Sequence, residues 1–102
     1  MRTTYRFRIY YEWQGPSHSD PFATEKTQPE VYTALCNVTN EFGHRLADRD
    51  SVVTASQLTK ESKEVEVSAD TTDSREQVIR AMETTLKDWR LFAEILAEGS
   101  AA

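Results

Sequence analysis

From Tyr5 to Trp13 the side chains alternate: Tyr5, Phe7, Ile9, Tyr11 and Trp13 fall on one side, and Arg6, Arg8, Tyr10 and Glu12 on the other. That period of two predicts a half-buried strand with one face toward a core. Residues 14–28, QGPSHSDPFATEKTQ, lose the alternation and carry Gly15, Pro16 and Pro21 as breakers, which predicts a long polar loop. Within it, Phe22 to Glu25 is a short candidate edge strand. Thr27-Gln28-Pro29-Glu30 then signals a helix start, with proline at a tolerated first-turn position and a carboxylate near the positive end of the dipole. Val31, Leu35, Val38, Phe42 and Leu46 share one helical face, joined by Ala34. Thr33, Asn37, Asn40 and His44 fall on the opposite side, and Gly43 predicts an early end or kink.

Residues 50–58 and 63–69 flank Thr59-Lys60-Glu61-Ser62 and predict a hairpin. Asp73 and Ser74, followed three residues later by Glu76 and Gln77, form overlapping capping boxes, so a second helix starts near Ser74. Val78, Met82, Leu86, Trp89, Ala93 and Leu96 keep to one side of that helix, which carries it to about Ala97 and leaves 98–102 as a fraying tail. Leu91 and Ile95 miss the stripe, and a strand over 90–96 would turn Leu91, Ala93 and Ile95 inward. The helix is preferred, because Ala, Leu and Glu are strong helix formers and no turn signal follows Trp89. The resulting β-α-β-β-α order, with an optional last strand, predicts an α+β two-layer sandwich. An antiparallel sheet carries two helices on one face, in a ferredoxin-like layout or a truncated relative of it. The strand over 63–69 lies beside the first and antiparallel to it, bringing Arg6 and Arg8 opposite Glu64 and Glu66. Phe7, Ile9, Val38, Phe42, Val67, Met82, Leu86 and Trp89 form the expected core.

At 102 residues the chain has room for one domain and one core, and 38% hydrophobic with 28% charged residues excludes a disordered chain. No apolar run approaches the roughly 20 residues that span a bilayer, and the first residues lack a signal-peptide block, so a cytoplasmic protein without membrane association is expected. Twelve basic against 17 acidic residues, formal net charge −5, oppose direct nucleic-acid binding. Cys36 is the single cysteine, which excludes an internal disulfide and fits a reducing compartment.

Chemistry-bearing residues are sparse. Ser17-His18-Ser19-Asp20 crowds a base, a carboxylate and hydroxyls into the long loop, where Asp20 would hold the His18 imidazole, yet the spacing is that of an ordinary hydrophilic loop. Two ligands are too few for a metal, no motif for a cofactor or phosphate stands in the chain, and neither Cys36 nor His44 reads as a nucleophile or ligand. Tyr10 is the sole aromatic on the outer face of the first strand, too little for stacking RNA. The first expectation is therefore a protein-interaction module of the inhibitor, immunity, phage counter-defence or adaptor kind. It would dock through Tyr10, His18, Asp20, Glu64, Glu66, Leu91 and Ile95 onto another protein, a nucleic-acid enzyme among the partner classes. The helical reading of 90–96 adds a homodimer, since it leaves the first strand's edge uncovered and Leu91 and Ile95 protruding. The alternative is a small ligand-binding or enzymatic domain with a pocket between the 17–22 loop and the sheet, using His18, Asp20 and Tyr10.

Overall fold

The computed structural model describes residues 2–12 and 27–100. In β1 (Thr3–Tyr10) the alternation sets the two layers: Tyr5, Phe7 and Ile9 are buried, while Arg6 is exposed and Arg8 and Tyr10 are half-buried on the far face. In α1 (Gln28–Arg45) the Glu30 carboxylate accepts the Thr27 N–H at 2.9 Å. Val31, Ala34, Leu35, Val38, Phe42 and Leu46 are all buried along one stripe, and Phe42 meets Phe7 edge-on at 5.8 Å. Gly43 neither ends nor breaks this helix, which runs two residues further because the Phe42 and Leu46 contacts outweigh the loss of about 1 kcal/mol that glycine brings.

A short β2 (Val52–Ala55) pairs antiparallel with β3 (Glu64–Thr71). The hairpin is present, but β2 is shorter than 50–58. Beyond Ala55 the Ser56 hydroxyl, rather than a ladder carbonyl, accepts the Glu66 N–H at 3.0 Å. The helix α2 (Arg75–Trp89) opens on the expected box, Ser74 Oγ accepting the Gln77 N–H and Gln77 Oε1 accepting the Ser74 N–H. Val78 and Met82 are core residues, whereas Leu86 and Trp89 only pack partly against it.

α2 stops at Trp89, and this corrects the helix over 90–97. Arg90 takes a left-handed conformation at φ 54°, and the Leu91 N–H donates to the Leu86 carbonyl at 3.0 Å, a tight helix-closing turn. The chain then extends as β4 (Phe92–Ser100), paired antiparallel with β1 over its length. Glycine is the usual residue in such a turn, so an arginine there gives no sign in the sequence. Leu91 is only 5% exposed and fills the core, while Ile95, on the outermost strand, remains 38% exposed. With β4 covering the β1 edge and Leu91 inside, both grounds for a homodimer fall away. Gly99 and Ser100 continue the strand instead of fraying.

The sheet order is β2-β3-β1-β4, every neighbour antiparallel, with both helices on one face: a ferredoxin-like α+β sandwich. The β4 register slips between Arg6 and Phe7, which pair with Ala97 and Ile95 and leave Leu96 as the extra residue. The slip turns Glu98 to the helical side, where it accepts from Arg75 Nε at 2.9 Å. The extension of the first strand to Trp13, the Phe22–Glu25 edge strand and residues 101–102 lie outside the described residues. No helix of the described residues is long and apolar enough to cross a membrane.

This packing sets an expectation for denaturation. Phe42→Ala should cost about 3–5 kcal/mol in urea unfolding. Leu91→Glu should destabilise far more than Ile95→Glu, since only the former puts a charge into the core; equal tolerance of the two would contradict the β4 assignment.

Candidate functional site

Between α1 and β2 the chain makes a loop that two carboxylates hold in place. The buried Asp73, at the β3–α2 junction, accepts the N–H groups of Ala47 at 2.7 Å and Asp48 at 2.9 Å. Asp48 answers in the other direction, accepting the Thr72 N–H, the Thr72 hydroxyl and the Asp50 N–H, each at 2.9 Å. These bonds, the Thr72 and Asp50 N–H groups first and the Thr72 hydroxyl next, together with the Arg2 guanidinium 3.9 Å away, hold the Asp48 carboxyl below its ordinary value of 3.8. The Ser51 hydroxyl lies 2.7 Å from both the Asp48 carbonyl and the Thr71 hydroxyl.

The pinned loop faces the last turns of α1 across a cleft of about 380 Å³. Thr39, Asn40, Gly43 and His44 line it from the helix, Asp48, Arg49 and Ser51 from the loop, and Val53 from β2. That volume lies in the range of small-molecule sites. A Cβ on Gly43 would meet Val53 Cγ2 at 3.6 Å, so the glycine leaves the cleft open between helix and strand. Among the described residues, no hydrogen bond or ion pair engages the head groups of Asn40, His44 or Arg49, and the buried Thr39 hydroxyl has no partner. Six other arginines are committed: Arg2, Arg6, Arg8, Arg45, Arg75 and Arg80 each sit on a carboxylate.

The residues singled out from the sequence lie elsewhere. Glu66 takes Arg6 at 2.9 Å and Glu64 takes Arg8 at 2.7 Å, so both acids are spent inside the molecule. Arg8 also reaches Glu94 at 3.1 Å, and the hydrogen bonds from Glu64 and then Glu94 raise its pKa further. Tyr10 stacks on Phe92 at 5.9 Å under the Arg8 guanidinium. Leu91 is core and Ile95 marginal, while His18 and Asp20 lie outside the described residues. Tyr10 is also far from the cleft, since it pairs with Glu64 whereas Val53 of the cleft pairs with Ala69, five residues along β3 or about 17 Å. The sequence reading noted Asn40 and His44 as a polar helix face but passed over Arg49, Ser51 and Thr39. Thr39 stands on α1 and Arg49 and Ser51 on the loop after it, and no single periodicity links them.

No known protein family matches the chain, and no curated protein does. Among solved structures it is similar to SnoaB, a cofactor-independent oxygenase from Streptomyces nogalater, at 11% identity and TM-score 0.48, over 98% of this chain and 92% of that one. The expectation of a protein-docking module is corrected, because the surface features behind it are consumed: the charged face by its own ion pairs, the β1 edge by β4 and Leu91 by the core.

Two outcomes follow. Gly43→Ala should raise stability by about 0.5–1 kcal/mol in thermal unfolding, because the added methyl fits against Val53 and a helical glycine is removed. Asp48, with its pKa lowered by folding, contributes its full stabilisation above 3.8 and loses it as pH falls through the lowered value. Melting followed from pH 6 to pH 2 should therefore drop more steeply for the parent than for Asp48→Asn.

Proposed function

We propose that the protein is a small ligand-binding or enzymatic domain, and that its ligand occupies the cleft between the last turns of α1 and the loop before β2. What supports this is the contrast in how polar groups are used. The sheet face satisfies its charges internally, whereas among the described residues Asn40, His44 and Arg49 have no partner for their head groups around one concave space. Exposed polar groups converging on a pocket of this size are the arrangement of a site open to a ligand. The walls suit that use. Asp73 and Asp48 fix the loop by five hydrogen bonds to backbone or hydroxyl donors, so Arg49 and Ser51 stand on a preorganised segment rather than a loose one. In an enzymatic use the imidazole of His44, which both gives and takes a proton, is the group for general acid–base transfer, with Arg49 and Asn40 orienting the substrate. A reducing, cytoplasmic setting accords with the single free thiol of Cys36.

The reading is tested by titrating a library of small fragments into the labelled full chain and following backbone amide shifts. Hits should cluster on residues 39–53, and Gly43→Ala, which narrows the cleft without unfolding the helix, should weaken them. Shifts gathered instead around Tyr10 and Phe92, or spread without a focus, would overturn it.

A further inference from the structure

Resting on the cleft as the ligand site, we infer that the ligand is a small carboxylate, anchored by the guanidinium of Arg49. The first ground is the donor balance around the cleft. Arg49 offers only donors, and Asn40 and His44 each offer at least one. Asn40 and His44 carry an acceptor each as well, but the carboxylate that stands beside them is already engaged. Asp48 holds three hydrogen bonds and faces Arg2, and the Asp48 carbonyl has the Ser51 hydroxyl at 2.7 Å. A group that enters this space meets the Arg49 cation and, in Asp48, a carboxylate that already holds three hydrogen bonds, so an anion with acceptors matches it.

The second ground is the isolation of Arg49 itself. The chain is acidic, with Asp48 and Asp50 on either side of Arg49 in sequence, yet no carboxylate among the described residues pairs with it. Asp48 is drawn to Thr72 and Arg2 by the folded loop, and Arg2 also donates to the Asp50 carbonyl at 2.9 Å. The turn thus engages Asp48, one of the two carboxylates beside Arg49 in sequence, with other partners. The planar guanidinium fork matches a planar carboxylate through two parallel N–H···O bonds. The rest of the wall is mixed, with the Val53 side chain and the bare Gly43 backbone offering an apolar patch beside the polar groups. A carboxylate on a short hydrophobic body answers both parts.

Benzoate and benzamide separate the terms, since they share shape and differ in charge. In amide-shift titrations of the full chain, benzoate should perturb residues 39–53 saturably and benzamide should bind at least tenfold more weakly. Arg49→Gln should bring benzoate down to the level of benzamide, leave benzamide unchanged and keep the parent melting temperature, because the Arg49 side chain is exposed and holds no partner among the described residues. Benzamide binding as tightly as benzoate at the same residues would overturn the carboxylate while leaving the cleft as a ligand site. Inorganic phosphate binding more tightly than benzoate would also overturn it, in favour of a tetrahedral anion. If fragments perturb residues 39–53 but benzoate does not, the inference fails alone; if no small molecule perturbs them, the cleft reading fails with it.

Discussion

A two-way clasp between acids and backbone amides joins the two halves of the molecule. The chain repeats a strand-helix-strand unit, and each repeat must turn from a helix or strand into the next element at the same end of the sheet. Asp73 at the turn of the second unit holds the amides of Ala47 and Asp48 in the first, and Asp48 in the first holds the amide and hydroxyl of Thr72 in the second. The exchange matters because Asp73 is buried, and a buried carboxylate without donors would cost several kcal/mol. Once formed, the clasp fixes the end of α1 against the start of β2, and the cleft takes its shape from that together with the bare backbone of Gly43.

The strands and helices were legible where one periodicity ran uninterrupted. Tyr5, Phe7 and Ile9 in β1, and Val31 through Leu46 in α1, fix their own faces by spacing, and the antiparallel order of β1 and β3 followed from the handedness of the crossover. The last strand was not legible. Ala93, Glu94, Leu96 and Ala97 have helical propensity, and the residue that stops the helix is an arginine in a conformation normally signalled by glycine. Tertiary pairing with β1 overrode local preference there, as it does wherever an otherwise open sheet edge is completed. The site was less legible than the fold. Asn40 and His44 stood out only as polar residues on a helix, and Arg49 became distinctive through the partners it lacks, a property that exists only once Asp48 has been turned toward Thr72.

The distribution of charge divides the surface by use. On the open face of the sheet, Arg6, Arg8, Glu64, Glu66 and Glu94 form a closed set of opposite charges that fixes strand register and, being exposed and screened by solvent, adds little to stability. Such a face has little left to offer a charged partner. At the α1–β2 junction the relation is reversed, with strong internal bonds in the frame and unspent groups in the opening. Rigidity and open hydrogen-bonding capacity are thereby kept to separate atoms within one short loop.

A nine-residue strand on the rim of a sheet presents a row of backbone groups to any extended chain that passes, and on β4 the exposed Phe92, Ile95 and Leu96 would make such an encounter sticky. The extra residue at Leu96 spoils that row, since a regular strand laid along it falls out of step halfway. Glu94 and Glu98, turned to opposite faces by the slip, add negative charge on both sides of the same edge. The irregularity that lets Glu98 reach Arg75 is thus also a barrier to fibril growth, built into the one strand that most needs it.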